Sequence, residues 1–115
     1  MKRNFKVEFL PEAVEFLEKL DDKPREKIYY NIAKASFSND SELFKKLNDF
    51  IWEFRTLYND KAYRLFAFWD KDGNTDTVVV TTHGIIKKTQ KTPPKEIKKA
   101  EETRRQYFND KAKRK

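Results

Sequence analysis

The sequence predicts an α+β domain in the order β, α, α, β, β, β, α: an antiparallel sheet with an N-terminal helical hairpin packed on it and a C-terminal helix. Three observations lead there. Apolar residues alternate between Asn4 and Phe9, recur at helical spacing between Pro11 and Ala35, and return in three β-rich runs between Ile51 and Thr82.

In the first strand Phe5, Val7 and Phe9 oppose Lys6 and Glu8, the period of a half-buried strand. Pro11 opens a helix with Val14, Leu17 and Leu20 on one face and Glu12 and Glu15 at its positive end. Behind Asp22 as a cap, Pro24 starts a second helix whose Ile28, Ile32 and Ala35 form a stripe. So tight a connection predicts a helical hairpin. Ile51 to Tyr58 is aromatic and β-branched, with Trp52, Phe54 and Thr56 on one face and Glu53 and Arg55 on the other. Lys61 to Trp69 repeats the pattern, Asp70 to Asn74 holds a glycine turn, and Thr77 to Thr82 carries Val78, Val79 and Val80. Three strands in series make a meander. Thr92, Pro93 and Pro94 then start a helix marked by Ile97, Ala100, Arg104 and Tyr107 or Phe108.

With 115 residues, two glycines and four prolines, the chain reads as one domain over residues 1–115, with 109–115 as a disordered basic tail. Cysteine is absent, which excludes disulfides, thiolate nucleophiles and cysteine-held metals. A reduced, cytoplasmic location is expected, with neither export nor membrane insertion. The net charge of +7 is unevenly placed. Met1 to Thr82 carries 14 Lys or Arg against 15 Asp or Glu, whereas His83 to Lys115 carries 12 against 4. A local surplus of that kind suits a polyanion, with RNA or DNA first and an acidic protein second.

If the run from Ile51 pairs with the run from Lys61 as a hairpin, Arg55 and Arg64 come within a few pairs of each other on the face of Glu53. Guanidinium forks match phosphate oxygens and keep their charge at any working pH, so two on rigid strands suit a phosphodiester. Alone, the same residues would also make an ordinary surface ion pair. His83 to Pro93, leaving the third strand of the meander, adds Lys87, Lys88 and Lys91. His83 is the one side chain here that titrates near neutral pH unperturbed; its alternative is strand-end packing. One histidine and no cysteine leave no ligand set for zinc or a redox metal, so no metal and no cofactor is expected.

Trp52-Glu53-Phe54-Arg55, Tyr63-Arg64-Leu65-Phe66 and His83-Gly84 through Lys87-Lys88-Thr89-Gln90-Lys91-Thr92-Pro93, followed by Glu96-Ile97 and Ala100, resemble the HigB-like, phage-derived branch of the RelE/ParE toxin superfamily. The resemblance covers nearly the whole chain and is strongest from Leu47 to Ala100. It implies a RelE-like fold and the toxin of a type II toxin–antitoxin pair. Such a toxin enters the ribosomal A site and cuts mRNA without a metal, by attack of the RNA 2′-hydroxyl on its own phosphate. On that reading Arg64 binds the scissile phosphate and Arg55 assists it. Lys87, Lys88 and Lys91 grip messenger or ribosomal RNA. His83 carries a proton, with Glu53 as an alternative base or as the residue that orients Arg55. The implied partner is a HigA-like helix-turn-helix antitoxin. Relatives often carry an aromatic and histidine set near the C-terminus, whereas Tyr107 and Phe108 here lie in a helix stripe and are expected to pack. Other classes fit the same features: a non-enzymatic inhibitor of gyrase or another protein, or an RNA- or DNA-binding phage accessory protein that cuts nothing.

Overall fold

The computed structural model describes residues 4–71, 77–87 and 91–114. The elements are β1 (Lys6–Phe9), α1 (Pro11–Glu18), α2 (Asp22–Phe37), β2 (Phe44–Lys46), β3 (Trp52–Tyr58), β4 (Lys61–Asp70), β5 (Val78–Lys87) and α3 (Pro94–Lys113). The five strands form one sheet in the order β1-β5-β4-β3-β2.

Both faces of this sheet are covered. On one, Ala13 and Leu17 of α1 and Ile28, Ile32 and Ala35 of α2 pack on Phe5, Phe54, Leu65 and Val79. On the other, Ala100 of α3, with Ile97, Tyr107 and Phe108 beside it, packs on Ile51, Phe66, Phe68 and Val80. Seven consecutive residues of β4, Ala62 to Phe68, are therefore buried, because a strand with helices on both sides has no solvent face. Large rings supply much of this core: Phe44 stacks on Phe54 at 4.3 Å and on Trp52 at 4.8 Å, and Trp69 meets Phe5 edge-on at 5.3 Å. Asn31 of α2 donates to the Thr56 hydroxyl at 3.1 Å, so Thr56 lies on the Trp52 and Phe54 face as its alternation predicts.

The α+β class and the β3-β4-β5 meander agree with expectation, with five differences. The sheet is mixed, because β1 pairs parallel to β5 while every other pair is antiparallel. A three-residue edge strand, β2, is added; it is too short for its alternation to register. His83 to Lys87 does not leave the sheet but continues β5, pairing with β4 beyond a bulge between Leu65 and Ala67. Asp22 is the first residue of α2 rather than its cap; Asp21 holds the cap position without a side-chain hydrogen bond. Finally, the tail expected over 109–115 is helical as far as Lys113, where Lys111 reaches the buried Asp70 at 2.7 Å and Tyr107 donates to the same carboxylate at 2.6 Å. The glycine turn expected after Asp70, together with Lys88, lies outside the described residues.

The β3–β4 connection sets the register on which the site depends. Asn59 and Asp60 both adopt positive φ, 54° and 65°, the type I′ geometry whose twist suits a two-residue hairpin. Asn and Asp tolerate that left-handed region better than most residues. From this turn, Tyr58 pairs with Lys61, Thr56 with Tyr63 and Arg55 with Arg64.

Candidate active site

Four strands contribute to one cluster on the α3 side of the sheet. Arg55 of β3 stands directly opposite Arg64 of β4; Glu53, two residues before Arg55, shares their face; Lys45 of β2 pairs with Glu53; and Lys87 of β5 is two residues beyond Ile85, the partner of Arg64. Side chains directly opposed across strands lie on one face, so this arrangement is a consequence of register alone.

The cluster is centred on a carboxylate. Glu53 is buried at 2% exposure; its Oε1 lies 3.5 Å from Arg64 Nε and its Oε2 lies 3.7 Å from Arg55 Nε. Neither Nε has a hydrogen-bond partner, although both atoms are buried. Arg64 is only 1% exposed, whereas a quarter of the Arg55 side chain remains accessible. Burial pulls the Arg64 guanidinium below its usual pKa; Glu53 opposes that pull and Arg55 adds to it. Lys87 is also buried, and its pKa is lowered first by desolvation and then by Arg64, with smaller repulsion from Arg55 and Lys45. Its Nζ donates to the Thr92 hydroxyl at 3.1 Å, and Thr92 donates to Glu53 Oε1 at 3.0 Å. The geometry therefore concentrates positive charge around a single carboxylate in a region of low dielectric, where the field on an incoming anion is strong.

His83 is held elsewhere. It is buried at 2% exposure, stacks on Phe66 at 4.9 Å, and engages Thr82 Oγ1 through Nδ1 at 2.9 Å and Glu96 Oε1 through Nε2 at 3.1 Å. Burial lowers its pKa; the Glu96 hydrogen bond pulls the other way. Both ring nitrogens are thus engaged with groups outside the arginine cluster, and the contact with Glu96 fastens the first turn of α3 to the sheet. Lys91 is exposed just before α3. Tyr107 and Phe108 pack on Phe68 at 5.1 and 5.7 Å, as the helix stripe predicts. Among the described residues no three His, Asp or Glu side chains come together in a metal-holding group.

The structure thus joins Glu53, Arg55, Arg64 and Lys87, and leaves His83 in a separate contact. It adds Thr92 and Lys45 to the cluster and Glu96 to His83. Thr92 stands inside the motif quoted for the family resemblance and at the helix start marked by Pro93 and Pro94, neither of which gives it a place beside Glu53. Lys45 had no sequence signal, because β2 is too short to reveal which way its residues face.

A model of the family described as phage derived protein Gp49-like (DUF891) matches residues 15–105. The chain belongs to the Gp49-like family. This is a RelE/ParE-like toxin family, and it sets the chain in a toxin–antitoxin context with an antitoxin as its expected partner. The matched span of the Gp49-like chain runs from α1 into α3 and contains every member of the cluster. No curated protein matches it. No helix among the described residues is long and apolar enough to cross a membrane.

Proposed function

We propose that this Gp49-like chain is a ribosome-dependent mRNA endonuclease of the HigB kind, neutralised in the cytoplasm by a HigA-like helix-turn-helix antitoxin. One observation carries the reading: Arg55, Arg64 and Lys87 converge on one buried carboxylate, leaving two guanidinium Nε atoms unsatisfied. Such an excess of buried positive charge opposes folding, so its presence favours a role in binding an anion.

In this reading an RNA phosphodiester meets the cluster with Arg55 and Lys87 at the rim and Arg64 as the floor. The cations stabilise the extra negative charge of the phosphorane that forms when the 2′-hydroxyl attacks. Glu53, the one carboxylate among them, takes the 2′-hydroxyl proton, and Lys87 is placed to protonate the departing 5′-oxygen. The proton duty falls to this pair because His83 already holds Thr82 and Glu96. Lys91 and Lys88 extend the grip along messenger or ribosomal RNA.

The test is induced expression in bacteria with primer extension on abundant transcripts, comparing wild type with Arg55→Ala and Arg64→Ala. Cuts confined to translated frames that weaken about 10²- to 10³-fold in the folded variants are the expected result. Growth arrest with intact mRNA would refute the nuclease reading and point to gyrase or another protein target.

A further inference from the structure

We propose that Thr92 is a positioning residue whose hydroxyl bridges the acid Lys87 to the base Glu53 and keeps the Lys87 proton in place for transfer; this deepens the nuclease reading above and rests on it. Thr92 Oγ1 accepts from Lys87 Nζ at 3.1 Å and donates its single proton to Glu53 Oε1 at 3.0 Å. The direction of that chain has a consequence. The hydroxyl gives its single proton to Glu53 and accepts from Lys87, a pattern that suits an ionised carboxylate beside a protonated amine.

Those are the states that 2′-hydroxyl attack requires. As the O2′–P bond forms, the hydroxyl proton passes to the ionised carboxylate. As the P–O5′ bond breaks, O5′ takes a proton from the ammonium. The products are a 2′,3′-cyclic phosphate and a 5′-hydroxyl, with nothing oxidised or reduced. The hydrogen bond that Lys87 donates to Thr92 favours the charged amine and thereby widens the pH range over which the acid is ready. For Lys87 this counteracts the burial and the neighbouring cations that lower its pKa.

The backbone fixes the bridge. Thr92 precedes Pro93 and Pro94, and Pro93, at φ −63°, caps α3. A residue before proline is confined to extended conformations. The helix that follows is seated by Ala100 and Ile97 in the core and by Glu96 on His83. Docking of α3 therefore places one hydroxyl between β3 and β5.

The experiment measures the pH dependence of single-turnover cleavage of a defined mRNA on programmed ribosomes by wild type, Thr92→Val and Thr92→Ser. Valine keeps the shape and loses the hydroxyl, so the alkaline limb of its pH profile should move inward by about one pH unit, with half-saturation unchanged. Serine should restore the wild-type width. A valine profile that drops evenly at every pH without narrowing, or a serine variant as impaired as valine, overturns the proposal. In parallel, NMR titration of the Lys87 ammonium in the free protein reads the bridge without cleavage. Its midpoint should fall in Thr92→Val and return in Thr92→Ser, and an unchanged midpoint overturns the bridge. Wild type that leaves mRNA intact overturns the nuclease reading, and with it the positioning role assigned to Thr92, whichever way the titration turns out.

Discussion

Replacing Glu53 with glutamine removes the charge that holds the arginine cluster together while keeping the side-chain shape and an acceptor for Thr92. In the wild type, one buried carboxylate faces Arg64 Nε at 3.5 Å and Arg55 Nε at 3.7 Å. Breaking a buried ion pair by removing one partner costs roughly 3–5 kcal/mol, because the other charge is left in low dielectric without compensation. Both separations are longer than a good hydrogen bond and Arg55 retains access to water, so the lower end, about 3 kcal/mol, is appropriate. At about 2.1 cal/mol/K per residue, a chain of 115 residues has an unfolding entropy near 0.24 kcal/mol/K, which turns 3 kcal/mol into a loss of about 12 °C in Tm. The same substitution raises the positive charge of the site by one, so inorganic sulfate should bind the variant more tightly than it binds wild type. Sulfate at about 100 times its Kd would return about 2.7 kcal/mol, most of the loss. Differential scanning calorimetry with and without sulfate measures both effects. A Tm within about 3 °C of wild type, with no larger response to sulfate, would refute the account of Glu53 as the neutralising centre of a buried anion site.

Two further outcomes concern the supports of the site. His83 is held neutral by burial, with a pKa below its unfolded value, so the unfolded chain binds the extra proton first. That stability is present above the unfolded pKa of about 6.5 and is lost as pH falls from there toward the folded value. Wild type should lose Tm between pH 7.5 and 5 more steeply than His83→Gln, and parallel curves would sink the claim. At Gly84, an added Cβ would run into the ring of Phe16 on α1. Gly84→Ala should then destabilise by about 1–3 kcal/mol through overpacking, and Phe16→Leu in the same chain should recover part of it. Chemical denaturation of the single and double variants reads the coupling, and additive losses would refute the contact.

Local pattern carried much of the fold. The alternation at Phe5, Val7 and Phe9, the stripe Ile28, Ile32 and Ala35, and the aromatic runs from Ile51 and Lys61 each became the predicted kind of element, because burying one face of a strand or helix requires that spacing. The opposition of Arg55 and Arg64 was legible for a related reason. A two-residue turn fixes hairpin register, so counting outward from Asn59 and Asp60 decides which side chains face each other.

What depends on contacts between distant segments was not legible. Nothing in β1 announces a parallel partner more than 70 residues away, and β2 is too short to show a period. His83 reads as a proton carrier or a packing residue at a strand end, yet β5 runs on through it beside β4, and α3 supplies Glu96 to its Nε2. Thr92 meets Glu53 across 39 residues of chain only because α3 docks on the sheet. By itself, then, the sequence determined the type of most elements, the uneven charge and the arginine pair, all of which follow from spacing over a few residues. The tertiary structure alone decided the burial of Arg64, the separation of His83 from the arginine cluster and the hydroxyl bridge between Glu53 and Lys87. These depend on how a sheet closes over non-local pairs and on where a helix comes to rest against it.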